Sequence, residues 1–197
     1  MYTDHQDPVP GPVPPTKSRL IVKRDGKAIT GTVPKPVVLV DTREQTPMRL
    51  ARFTNWIAAE RVATLPTGDY SIEGMETLVT LERKSLSDLV GTLMRHRERF
   101  IRQCERMTAY PHRAILVEAT YEDIKTPYSF ARTVEAHPNG VAGTLDAIEA
   151  KFNIPIIYTS LNRALADEKA ASWLSKAFTY WWLESQGLGR LLQTGDL

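Results

Sequence analysis

The chain has 197 residues, 42% hydrophobic and 24% charged, with a formal net charge of +2, which suits one domain with a proper core and excludes collagen-like or wholly disordered chains. A single cysteine, Cys104, excludes an intrachain disulfide and a cysteine-rich zinc site and points to a reducing compartment. No apolar run approaches the ~20 residues that span a bilayer and no signal-peptide pattern is present, so a cytoplasmic protein with no membrane partner is expected.

Residues 1–16 hold Pro8, Pro10, Pro12, Pro14 and Pro15 and little to bury, and read as an extended tail. Residues 17–36 read as a short hairpin and linker, with Asp25-Gly26 supplying the positive φ angles of a tight turn. The main domain is expected over residues 37–185, with a tail at 186–197. Its first strand is the unbroken apolar run VVLV at 37–40, as in a strand buried on both faces. Residues 60–65 alternate polar and apolar, Pro66-Thr67-Gly68 marks a turn, and strands are predicted at 69–72 and 77–84. One long helix is predicted from residue 85 to 107. Leu86, Leu89, Val90, Leu93, Met94, Phe100, Ile101, Cys104 and Met107 recur there at three- and four-residue spacing. A buried strand at 113–118, a helix at 141–152, a strand at 154–159 and a helix at 163–184 complete the chain. Adjacent strands early, then strands alternating with helices, predict an α/β domain: a mixed sheet flanked by helices.

The stretch LPTGDYSIEGMETLVTLERKSLSDL, residues 65–89, carries the chemistry. Strand alternation puts Val79, Leu81 and Arg83 on one side and Thr80, Glu82 and Lys84 on the other. Asp69 opens the neighbouring strand, and the intervening turn can bring its carboxylate beside Glu82. Two carboxylates and an ammonium at strand ends suit metal-assisted phosphodiester hydrolysis. Carboxylate oxygens hold Mg²⁺ while leaving places for waters and a phosphate oxygen, and Lys84 can orient a water or stabilise developing negative charge. Glu-x-Lys alone is also what a solvated edge strand carries. Asp88, one turn into the next helix, suits the helix dipole as well as a site.

GDY, a strand, then ERKSLSD resembles the nuclease domain of the XPF/Mus81 (ERCC4-type) structure-specific endonucleases, whose signature is GD, a spacer, then ERKxxxD. The upstream VDTREQ, Val40 to Gln45, matches the family's first strand motif. The resemblance implies a restriction-endonuclease-like fold and a Mg²⁺-dependent endodeoxyribonuclease, with Mn²⁺ able to substitute. It implies metal ligands at Asp69, Glu82 and Asp41, a catalytic lysine at Lys84, and further active-site positions at Arg43, Arg83 and Asp88. Arg83 points away from Glu82 by alternation, which suggests an indirect part. About 38 residues follow the last strand and contain no pair of glycine hairpins, so the tandem helix-hairpin-helix module usual in this family is not expected there. The substrate implied is branched or distorted DNA. A sequence-specific nuclease of the same fold and a non-catalytic DNA-binding scaffold are the alternatives, since fold does not fix substrate. The complete acid set favours an active enzyme.

Arg95, Arg99, Arg102 and Arg106 are spaced by four, three and four, and are expected to form one phosphate-following stripe. The final helix carries Trp173, Phe178, Tyr180, Trp181 and Trp182, more aromatic surface than one terminal helix usually buries. A homodimer through that helix is therefore expected.

Overall fold

β-Branched and apolar runs become the strands of a six-stranded sheet. The computed structural model of the protein describes residues 22–24, 27–29, 33–128 and 136–186. The expected tail at 1–16, the expected tail at 186–197 apart from Gln186, and the Asp25-Gly26 turn lie outside the described residues. Flanking that turn, β1 (Val22–Arg24) pairs antiparallel with β2 (Lys27–Ile29), as a hairpin requires.

The sheet strands are β3 (Val37–Asp41), β4 (Ala59–Ala63), β5 (Tyr70–Ile72), β6 (Val79–Ser85), β7 (His112–Glu118) and β8 (Ile156–Tyr158). β3 runs parallel to β4 and antiparallel to β5, and β5 runs antiparallel to β6. β6, β7 and β8 are mutually parallel. The end of β3, the start of β5 and the ends of β6 and β7 therefore meet at one end of the sheet. The sheet is mixed and covered on both faces, as the apolar patterning predicts.

The pleat divides the core into two layers. Ile115 and Val117 pack with Leu89, Leu93, Phe100, Cys104 and the later Leu145 and Ile148. Ala114 and Leu116 face the other way, toward Val79, Leu81, Tyr70 and the helix residues Ala170 and Leu174. One face thus carries α1 (Leu86–Arg95), α2 (Arg97–Met107) and α4 (Pro138–Phe152); the other carries α5 (Arg163–Ser185). A short helix, α3 (Tyr121–Lys125), capped reciprocally by Thr120 and Asp123, follows β7.

Where one helix was expected over 85–107, the structure has two, broken at His96 with φ −133° and ψ 27°. Residues 95–99 read RHRER and hold no apolar side chain to seat the middle turn on the sheet. The apolar spacing stays in phase across the break, so periodicity alone does not reveal it. On α5, Trp173, Phe178 and Trp181 pack in part against the second core layer, so the sheet takes up much of the expected aromatic surplus. Among the described residues no helix is long and apolar enough to cross a membrane.

Candidate active site

Three strand ends are stitched together by backbone hydrogen bonds. Asp41 N–H donates to the Asp69 carbonyl at 2.8 Å, and Asp69 N–H to the Leu81 carbonyl at 2.9 Å. The turn that delivers Asp69 depends on Gly68, whose φ is +77°. A Cβ there would lie 2.2 Å from Thr80 Oγ1 and 3.2 Å from the Leu81 carbonyl oxygen. Both the left-handed backbone and the close approach exclude any larger residue.

These ends floor a cleft of ≈ 850 Å³ whose walls include Asp41, Arg43, Asp69, Glu82, Lys84 and Asp88, with His96, Arg99, Gln103 and Arg106 from the helical side. Lys84 Nζ lies 2.7 Å from Glu82 Oε1, so the two side chains share one face of β6, as alternation requires. Gln103 of α2 donates its side-chain amide to Glu82 Oε2. Asp69 Oδ2 accepts the Arg83 backbone N–H at 2.7 Å. Burial and the nearby Glu82 charge push the Asp69 carboxyl up to about 7. Burial pulls the Lys84 ammonium down, yet Glu82, Asp69 and Asp88 outweigh it and hold the group above the usual lysine range. Lys84 is therefore a fixed cation at neutral pH rather than a general base. Burial, aided by Glu82, pushes the Cys104 thiol behind the site up to about 12, which leaves it inert.

Asp41 lines the same cleft, but its acceptors are engaged. Oδ1 takes the Arg43 backbone N–H at 2.8 Å and Nε at 2.6 Å; Oδ2 takes another Arg43 guanidinium nitrogen at 3.0 Å and the Leu65 N–H at 2.7 Å. Burial would raise its pKa, but these donors prevail and hold it below the ordinary aspartate value. All four lone-pair sites of the carboxylate are used, so a cation there would have to displace one of these donors. In this arrangement Asp41 holds Arg43 toward the cleft.

Arg83 turns to the opposite face of the sheet. Its guanidinium grips Glu118 at 2.7 and 3.0 Å and reaches Thr46 Oγ1 at 3.1 Å and Glu44 at 3.3 Å. Glu118 also meets Arg163 at 3.0 Å, at the start of α5. The side chain of Arg83 thus ties three elements together while its backbone steadies Asp69. Asp88 sits in the first turn of α1, where its N–H donates to Ser85 Oγ at 3.1 Å and its carboxylate accepts from that hydroxyl at 2.7 Å. It serves as a cap partner and also faces the cleft.

The arginine stripe divides. Arg99 and Arg106 line the cleft. Arg95 belongs to the helix before the break and does not line it, and Arg102 is 3.7 Å from Glu98 on the outer face. Arg99, Gln103 and Arg106, at i, i+4 and i+7, form the cleft face instead. Sequence reading passed over Gln103, although a polar residue between two cleft arginines on one helix face is a signal. It also passed over Glu118, the lone acid that closes the buried strand RAILVE.

The donor set bears on whether a divalent cation fits. Among the described residues no group of three or more His, Cys, Asp or Glu side chains is placed to hold a metal. Asp69 and Glu82 are a pair, and among the described residues the second oxygen of the Asp69 carboxylate has no hydrogen-bond donor. Thr67 Oγ1, buried in the cleft wall, likewise has no partner among the described residues. Two carboxylates and open positions for water and phosphate are what Mg²⁺ takes, unlike Zn²⁺ or Ca²⁺, which need fuller protein cages. The residues fit such an ion.

A comparison with functionally curated proteins gives no match. Among solved structures, the fold is similar to XPF from Aeropyrum pernix, with TM-score 0.56 and 20% identity over 78% of this chain and 69% of that one. It is also similar to XPF from Aeropyrum pernix in complex with DNA, with TM-score 0.53 and 21% identity over 81% of this chain and 69% of that one. The ERCC4 domain family model matches residues 40–168, from the strand that delivers Asp41 to the first turns of α5, and the chain belongs to the ERCC4 domain family.

Proposed function

We propose that the protein is a metal-dependent DNA endonuclease that hydrolyses phosphodiester bonds at branched or distorted DNA. The observation that carries this reading is the convergence of Asp69, Glu82 and Lys84 in one cleft rimmed by Arg43, Arg99 and Arg106. Asp69 and Glu82 would hold Mg²⁺, for which Mn²⁺ substitutes. Each Glu82 oxygen retains a lone pair beyond its bond to Lys84 or Gln103. A divalent cation bound there supplies positive charge to a phosphate oxygen and acidifies a water.

The chain's own residues do the rest. Lys84, protonated and fixed against Glu82, stabilises negative charge on the phosphate as attack proceeds. Gln103 fixes the orientation of Glu82, and the Arg83 N–H fixes that of Asp69. Arg43, held by Asp41, and Arg99 and Arg106 from α2 bind phosphates without reading bases. Asp88 sets the start of α1 and adds negative charge beside Lys84.

The deciding experiment incubates the protein with Mg²⁺ and labelled duplex, single strand, flap, fork and four-way junction. Cleavage is expected on the branched substrates, and Glu82→Gln and Asp69→Asn should each abolish it with the circular dichroism spectrum unchanged. Wild-type levels of cleavage in either variant would remove these residues from the chemistry. DNA binding without cleavage under any metal would instead favour the scaffold alternative.

We also propose that the protein works as a homodimer through α5. Trp182 and Tyr180 stand outside the core layer that takes Trp173, Phe178 and Trp181, and they leave aromatic surface for a second copy.

A further inference from the structure

A second groove, of ≈ 810 Å³, lies beside the first. Thr46 lines both. The residues before it, Arg43 to Gln45, face the candidate active site, and those after it, Pro47 to Arg49, face the second groove. The ridge between the two is fixed. Arg163 donates to the Thr46 carbonyl at 2.7 Å and Arg83 to the Thr46 hydroxyl at 3.1 Å.

The groove is basic. Four arginines line it, Arg49, Arg52, Arg61 and Arg163, against two carboxylates, Glu60 and Asp167. Both carboxylates are engaged below the surface. Glu60 accepts the backbone N–H groups of Leu50 and Ala51, and Asp167 meets Arg163 at 2.9 Å and Arg52 at 3.8 Å. Arg61 pairs with Glu73, which does not line the groove. Among the described residues the Arg49 guanidinium has no partner. Arg163 also meets Glu118, which Arg83 grips as well, so the positive excess of the groove rests on Arg49. Between these cations the wall is apolar, with Pro47, Ala164 and Val62, the last 73% exposed on the edge strand β4.

We propose that this groove grips, through its phosphates, the DNA strand that leaves the catalytic cleft, so that the two clefts hold two arms of one branched substrate. The inference rests on the nuclease reading and adds to it a place for the second arm. Guanidinium groups spaced along an apolar wall suit a single strand, whose phosphates need cations and whose bases present faces rather than edges. An acidic protein segment would use the same charges but gives no reason for the groove to adjoin the active site.

The test uses the full chain carrying Glu82→Gln, which binds without cutting, with and without Arg49→Ala and Arg61→Ala. Fluorescence anisotropy follows binding to a fork with a single-stranded arm and to the same duplex without the arm, over a salt series. The double substitution is expected to weaken fork binding about tenfold and to flatten its log–log salt slope by about 1.4, the release of roughly two single-strand phosphates. Armless duplex binding should stay unchanged. Arg49→Lys with Arg61→Lys should recover most of the loss, since the requirement is charge. Fork affinity and slope equal to the parent, or an equal loss on both DNAs, would overturn the second-arm site while leaving the nuclease reading intact. A parent that binds neither DNA would overturn both.

Discussion

At Asp69, burial and a neighbouring charge act together on one carboxyl group of the candidate site. Its folded value of about 7 lies above the usual 3.8 because burial and Glu82 both oppose its charge. With the folded value raised, the metal-free fold holds this proton more tightly than the unfolded chain does. The resulting stability is fully present below about pH 4 and is lost as pH rises through 7. In the proposed function a divalent cation would take the place of that proton. Mg²⁺ is therefore expected to raise the melting temperature clearly at pH 8 and hardly at pH 5, and Asp69→Asn should remove the difference. A Mg²⁺ shift of equal size at both pH values would show that the ion does not bind at Asp69. Gln103→Leu leaves one Glu82 oxygen without its amide donor. Turnover is expected to fall about tenfold, with a smaller change in the Kd for DNA, as befits a positioning residue; Gln103→Glu should be worse, since it adds a third charge to the pair. Gly68→Ala combines a left-handed backbone with a 2.2 Å collision at Thr80. It should cost about 1–3 kcal/mol in chemical denaturation and misplace Asp69.

At the scale of elements, strand alternation settles which face each member of the ERK triplet serves. Glu82 and Lys84 share the helix-covered side with α2, and Arg83 shares the α5 side with Leu81 and Val79. That much was legible because a strand of period two leaves one choice of face. The ion-pair cluster that Arg83 joins was not legible, since Glu118 and Arg163 are 35 and 80 residues away in sequence and meet it only through the pairing of β6 with β7 and the packing of α5 on the sheet. The break at His96 was hidden for a different reason: the apolar positions on either side stay in phase. Its consequence is that only part of the arginine stripe faces the cleft. Arg99→Ala is expected to weaken DNA binding and lower its salt slope by about 0.9, whereas Arg102→Ala should leave both nearly unchanged. Equal effects of the two would restore the undivided stripe. Arg83→Ala would leave Glu118 with Arg163 alone and Glu44 with no cation, and is expected to cost about 3 kcal/mol, the lower end for a broken buried pair. Arg83→Lys, lacking the fork that grips Glu118 twice, should recover only part of it.

For the whole molecule, the question is what covers α5. One side of that helix is settled: Ala166, Ala170, Ala171 and Ala177 are buried with Leu174 against the sheet, and the alanines let the helix lie close. Trp173, Phe178 and Trp181 flank this seam and are only partly buried, and Phe178 and Trp181 touch with ring centroids 6.1 Å apart. Trp182 and Tyr180 are half-exposed and lie outside both core layers. Composition had suggested an aromatic surplus but could not say which rings the sheet would absorb, because that depends on the rotation of α5 about its axis. Trp182 and Tyr180, two residues apart on one helix, lie on opposite flanks of the seam, and the proposed pairing is placed on the Trp182 flank. A two-fold pairing of that flank would bury Trp182 from both copies and would set two candidate active sites on one assembly. Light scattering at micromolar concentration is expected to give twice the chain mass of 22.2 kDa. Trp182→Ala, which removes a ring the core does not use, should shift the protein toward the single-chain mass without lowering the unfolding midpoint of the monomer. Trp173→Ala should instead lower stability, since its ring packs on the sheet. A wild-type mass of one chain, unchanged by Trp182→Ala, would leave α5 as a core helix with a solvated aromatic edge.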